Sequence, residues 1–156
     1  MIIGFLDETF PQTIANTQRF WSFGHSTLVK NTTKFRANTF GFYSINGCSV
    51  LEFHEHSKKE DVCEFLQSIH HHADKTREYA EQNRIDLVFL PPYSPDLNPI
   101  ECIWKSIKRI ISWIFIRDLD HLKQIILDAF KKFGCLLSFA KAWIAKFLGN
   151  KFSIKL

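Results

Sequence analysis

Residues 85–109, IDLVFLPPYSPDLNPIECIWKSIKR, decide how the rest of the chain reads. Leu87 to Leu90 is a short apolar run that stops at Pro91-Pro92, which predicts a buried strand ending there. Beyond the prolines, Asn98 is a good helix N-cap, Pro99 suits the first helical position, and Glu101 follows three residues past the cap. Ile100, Ile103, Trp104, Ile107, Ile110, Ile111 and Ile114 recur at helical spacing and predict one apolar face. Glu101 lies off that face, in line with Lys105 and Lys108. A strand, a proline-punctuated loop and a helix thus deliver one carboxylate into a first helical turn. Spacing alone also fits a capping-box glutamate, reaching back to an unpaired backbone N–H and pairing with Lys105 four residues on.

The words of the stretch carry more than its spacing. Leu90-Pro91-Pro92-Tyr93-Ser94-Pro95-Asp96-Leu97-Asn98-Pro99-Ile100-Glu101, followed by Trp104, Lys105, Lys108 and Arg109, resembles the C-terminal signature of mariner-type insertion-sequence transposases of the DDE/DDD superfamily. The resemblance implies that Glu101 is the last of three metal-binding carboxylates. Met1 to Thr9, MIIGFLDET, is an apolar strand ending in an acidic pair, and resembles the way the family presents its first catalytic aspartate. That residue would be Asp7; on its own it equally fits a turn at a strand end. Trp21-Ser22-Phe23-Gly24 resembles the loop that follows. Thr39 to Ile45 and Ser49 to Phe53 resemble the next two strands, and Asn46-Gly47 between them is itself a strong hairpin signal.

The likeness runs from the first residue to about residue 133. It implies a single α/β domain over residues 1–156, a ribonuclease H-like mixed sheet flanked by helices, with a basic helical part over 99–150. It also implies DNA as partner, and metal-dependent DNA cleavage and strand transfer in transposition. Asp7 and Glu101 would hold Mg²⁺, or Mn²⁺.

One part of the pattern is missing. The family sets a second aspartate at a strand end, roughly thirty-five positions before its last acid, which falls near Leu66. The sequence there, Cys63-Glu64-Phe65-Leu66-Gln67-Ser68-Ile69-His70-His71-His72, holds no Asp-Asn pair and no β-branched run. A polar helix opened by Ser57-Lys58-Lys59-Glu60-Asp61 runs almost directly into the histidines instead. We read an internal deletion near residues 69–71 that removed a strand together with its aspartate. Asp74 falls late, inside a helix expected over 73–83, and Asp86 lies at the wrong end of the last strand. Two sheet edges would then face a gap, unless Leu87–Leu90 moves over to pair with Ile2–Leu6.

The expected protein is therefore a transposase catalytic domain impaired in activity. The alternatives are a non-catalytic remnant that binds DNA or an intact transposase as an inhibitor, and a decayed reading frame without function. The family's N-terminal helix-turn-helix modules are expected to be absent, so DNA affinity should be weak, salt-sensitive and largely independent of sequence.

Charge is uneven along the chain. Residues 1–101 carry nine Lys and Arg against thirteen Asp and Glu, a net of −4, while residues 102–156 carry eleven against three, a net of +8. Lys105, Lys108 and Arg109 are the candidate phosphate contacts, with a solvated helix face as the plain alternative. Sixteen Phe and four Trp supply apolar area for one core. No apolar segment is long enough to span a membrane and no signal-like start is present, so a cytoplasmic protein is expected. Cys48, Cys63, Cys102 and Cys135 lack metal-ligand spacing, and buried thiols are expected.

Two further helices are predicted. Leu119, Leu122, Ile126, Ala129 and Phe133 form one apolar stripe; Leu136, Leu137, Ala140, Trp143, Ile144, Phe147 and Leu148 form another. These stripes serve core packing or, if the sheet is damaged, a homodimer. His70-His71-His72 cannot all face one ion from a helix, since neighbours point about a hundred degrees apart. They read as a helix start.

Overall fold

The computed structural model describes residues 2–14, 24, 31–74, 90–91 and 94–149, without the side chains of residues 67 and 70–74. Three strands form its sheet, β1 (Gly4–Thr9), β2 (Asn38–Ser44) and β3 (Val50–His54), antiparallel in the order β1-β2-β3. The β2–β3 hairpin turns around Asn46-Gly47 as its sequence predicts, with Phe42 opposite Val50. Asn46 does a second job: its Oδ1 accepts the Ile3 N–H at 2.8 Å and ties down the entry to β1.

Side chains alternate along a strand, so the register sorts residues between two faces. Asp7 pairs with Gly41 and Thr9 with Thr39, and these share a face with Phe5 and Tyr43. Leu6, Glu8, Phe40 and Phe42 take the other. Helix α1 (Lys59–Asp74) covers that second face, where Phe65 and Ile69 are buried with Phe40 and Val50. Helices α2 (Ile100–Ile111) and α3 (Leu119–Gly134) cover the first. There Ile100, Ile103, Trp104, Ile107, Leu122, Ile126 and Phe130 make the main core with Phe5 and Tyr43. The short α4 (Lys141–Phe147) closes one end, Trp143 meeting Phe5 edge-on at 4.8 Å. The result is an α/β arrangement, a small sheet with helices on both faces.

Several expectations are corrected. All described strand pairs are antiparallel, and the strand that would make the sheet mixed lies mostly outside the described residues. Of the strand predicted over Leu87–Leu90, only Leu90 is described. It is 40 % exposed and in no strand, since it enters a double proline that cannot donate to a ladder. Trp21 to Phe23, residues 75–83 and Asp86 lie outside the described residues. Helix α2 stops at Ile111, and Ile114 is 37 % exposed; Ile116 takes the buried place, with its N–H held by Asn31 Oδ1 at 2.9 Å. The last stripe is broken by a 3-10 turn (Leu137–Phe139) ahead of α4, leaving Leu136 and Phe147 exposed. All four cysteines are exposed rather than buried, each on a helix surface, in a turn or at a helix end. No helix among the described residues is long and apolar enough to cross a membrane.

The end of the α2 stripe can be checked by truncation. Ile107, fully buried, should lose about 2–5 kcal/mol on Ile107→Ala. Ile114→Ala should change stability by less than about 0.5 kcal/mol. Urea unfolding midpoints measure both, and similar losses would place Ile114 inside the core.

Candidate active site

Asp7 stands near the end of β1, on the face that α2 covers. Its Oδ2 accepts a hydrogen bond from Trp104 Nε1 at 3.0 Å. Trp104 is 1 % exposed, and a buried indole N–H needs an acceptor. The ring reaches Asp7 by passing over β2 at Gly41, where a Cβ would sit 2.5 Å from the indole. A side chain there would push the ring aside. Phe130 of α3 stacks on the same indole with centroids 5.5 Å apart.

Glu101 is half-buried in the first turn of α2, three residues before Trp104. Its backbone N–H bonds the Asn98 carbonyl at 3.0 Å. Asn98 does not cap with its side chain: its Oδ1 is buried without a hydrogen-bond partner. The reason is local. Pro99 is already helical (φ −56°, ψ −27°), and the first bond of the helix is a tight turn closed by the Asn98 carbonyl. Among the described residues the Glu101 carboxylate accepts no hydrogen bond and makes no ion pair with Lys105. The capping-box reading therefore lacks its bond, and the carboxylate is left available.

Asp7 and Glu101 are brought together. Burial lifts the Asp7 carboxyl from its ordinary 3.8 to about 6, and the negative charge of Glu101 adds to the rise. The Glu8 backbone hydrogen bond, the Trp104 N–H and the Lys108 ammonium pull the other way and are outweighed. Glu101, Trp104 and Lys108 thus line one edge of α2 toward β1, as spacings of three and four on a helix allow. Lys105, Lys108 and Arg109 are all exposed. The last two fall in the final turn of α2, where cations also suit the helix dipole.

The acidic pair of β1 splits between faces. Glu8 points to the α1 side and accepts from the Ser57 hydroxyl, so only Asp7 belongs to the site. His70 to His72 lie inside α1 rather than at a helix start, and Asp74 is the last residue of that helix that the structure describes. Sequence reasoning named Asp7 and Glu101 but did not foresee that Trp104, passing over Gly41, bonds Asp7. The available signal was a tryptophan three positions past the acid, on the buried edge of its helix and in need of an acceptor.

Asp7 and Glu101 thus lie near enough for the charge of one to raise the carboxyl of the other. Residues 68–123 match the family model of the DDE superfamily endonucleases. A segment of 66 residues is 39 % identical to the Transposable element Tc3 transposase of Caenorhabditis elegans, covering 39 % of this chain and 19 % of that protein. Over residues 68–123 the chain is thus similar to the DDE superfamily endonucleases, and over 66 residues to a transposase. It spans about a fifth of the length of that curated relative. The family match holds the end of α1, the proline loop, α2 with Glu101, and the start of α3. Asp7 and the three strands lie outside it, although the sequence likeness was expected to reach back to the first residue.

The raised carboxyl gives a pH test. Folding favours protonated Asp7, so its contribution to stability is full below about 3.8 and is lost as pH rises through about 6. Asp7→Asn cannot ionise and still offers Trp104 an oxygen. Its stability relative to the parent protein should climb between pH 4 and pH 7, read from urea midpoints. A difference that stays flat with pH would mean Asp7 is not desolvated.

Proposed function

We propose that this chain is the catalytic domain of a mariner-type transposase, of ribonuclease H-like architecture, and that the present copy is impaired in cleavage because the second aspartate is lost. The observation that carries this reading is the meeting of Asp7 and Glu101 beside a hydrogen bond that spans 97 positions of sequence. Strand order β1-β2-β3, with α1 on one face and α2 and α3 on the other, supports the architecture.

The donor set fits a hard divalent ion. Asp7 and Glu101 offer carboxylate oxygens, and their mutual repulsion is what Mg²⁺ or Mn²⁺ would offset. Such an ion supplies an activated water or 3′-hydroxyl and stabilises the leaving oxygen of a phosphodiester. This chain's own residues do the rest. Trp104 holds the Asp7 carboxylate, Gly41 lets Trp104 through, and Lys108 sits close enough to Asp7 to be felt electrostatically. Lys105, Lys108 and Arg109 would take the DNA backbone, in a manner weakened by salt.

Two carboxylates hold an ion less well than three. The unbroken run of α1 from Lys59 to Asp74, across the stretch where the second acid belongs, supports the internal deletion. So does the family match, which opens at residue 68. The same loss, beside an intact row of exposed basic residues, favours a second reading. In it the protein binds DNA, an intact transposase or a second copy of itself without cutting, and inhibits transposition.

Nicking of supercoiled plasmid in Mn²⁺ tests the proposal, with Asp7→Ala and Glu101→Ala as controls. Mn²⁺ tolerates incomplete ligand sets better than Mg²⁺. The expected result is cleavage no faster than either control. Cleavage that both substitutions abolish would keep the family chemistry and overturn the impairment.

A further inference from the structure

A second cluster of ligating side chains lies on the opposite face of the sheet. His54 ends β3, and its Nδ1 is 3.7 Å from Asp61 Oδ1 in the first turn of α1. Glu64 stands three residues on along the same helix. One ligand atom from each of His54, Asp61 and Glu64 falls within 4.8 Å of the others. The His54 side chain is only 10 % exposed, fixed edge-on against Phe40 at 5.0 Å and Phe65 at 6.4 Å. Its far nitrogen, Nε2, is buried without a hydrogen-bond partner, 3.4 Å from Glu52 Oε2. Buried imidazole nitrogens are seldom left unpaired. Asp61 is also held in place, its Oδ2 accepting the Lys58 N–H at 2.7 Å.

We propose that His54, Asp61 and Glu64 form a binding site for a divalent transition-metal ion of the zinc class. Zinc bonds to nitrogen and oxygen of roughly 2.0–2.2 Å in tetrahedral geometry set ligand atoms about 3.3–3.5 Å apart. The His54–Asp61 pair is already close to that spacing, and the exposed Glu64 can swing the remaining distance. A metal-bound histidine commonly gives its other N–H to a carboxylate, and Glu52 Oε2, 3.4 Å from Nε2, stands close enough to take it after a small shift. The imidazole also sets selectivity. It favours Zn²⁺ over Mg²⁺, whereas Asp7 and Glu101 present oxygen alone. A bound ion would staple the start of α1 to the end of β3, on the face where few residues of that helix are buried.

The test uses the untagged full chain carrying Asp7→Asn, Glu101→Gln, alanine at His70, His71 and His72, and serine at the exposed Cys48, Cys63, Cys102 and Cys135, which removes the main competing ligands. Zn²⁺ is titrated by calorimetry and by thermal unfolding, and Co²⁺ by its visible absorption. One ion per chain, a raised Tm and Co²⁺ bands of four-coordinate intensity are expected. Glu64→Gln and Asp61→Asn should each weaken Zn²⁺ binding roughly tenfold or more. Glu64 is exposed, so its substitution should leave the metal-free Tm unchanged. The same two substitutions in the otherwise unaltered chain repeat the comparison without the background changes. Less than one ion per chain, or affinity indifferent to both substitutions, would overturn the site.

Discussion

The hydrogen bond from Trp104 to Asp7 is the constraint around which the molecule is arranged. It joins the first strand to a helix far along the sequence, and it needs three things to exist. Gly41 must leave room, Phe130 must back the indole, and Pro99 must start α2 where it does. Once the indole lies over β2, the rotation of α2 about its axis is set. Glu101, one turn earlier, and Lys108, one turn later, then border Asp7 as a matter of helix geometry. The charge arrangement follows from packing.

The balance of forces at Asp7 bears on the role proposed for it. A hydrogen bond to a charged group is worth about 1.5–3 kcal/mol, and Asp7 receives such bonds as well as a nearby ammonium. Burial and Glu101 still win, and its carboxyl stays well above the ordinary range. A protein selecting only for stability would replace one of these acids. Two acids so placed are what the proposed metal-binding role needs, and perturbed groups often collect at functional sites. The opposite face shows a related tension at His54, whose buried nitrogen lacks a partner while three carboxylates stand near. The sheet thus separates two polar clusters of different donor chemistry.

Much of this was legible in the sequence, for reasons that differ by element. The β2–β3 hairpin was readable because Asn46-Gly47 dictates a turn locally. The buried face of α2 was readable because its period is strong from Ile100 to Ile111. Asp7 and Glu101 were named only through the words around them; spacing alone favoured a turn for Asp7 and a cap for Glu101. Tertiary choices were not legible. Whether Asn98 caps depends on which group closes the first turn, and its carbonyl did so in place of its side chain. Ile114 kept the helical period yet fell beyond the helix end, because periodicity does not say where a chain stops turning. Phe130 rather than Phe133 took the fully buried place beside Trp104, a matter of which ring meets the indole. The thiols went outward because apolar character does not outweigh position on a helix face.

The alternation of Asp7 and Glu8 across β1 carries one more consequence. A strand that slipped by a single residue against β2 would turn every side chain to the opposite face. Leu6 or Glu8 would then meet Trp104, and the indole N–H would find either no acceptor or the wrong one. Phe5 would leave the core at the same step. Correct pairing in this sheet and a usable acid beside α2 are therefore a single event, so a misregistered molecule is both unstable and chemically blank.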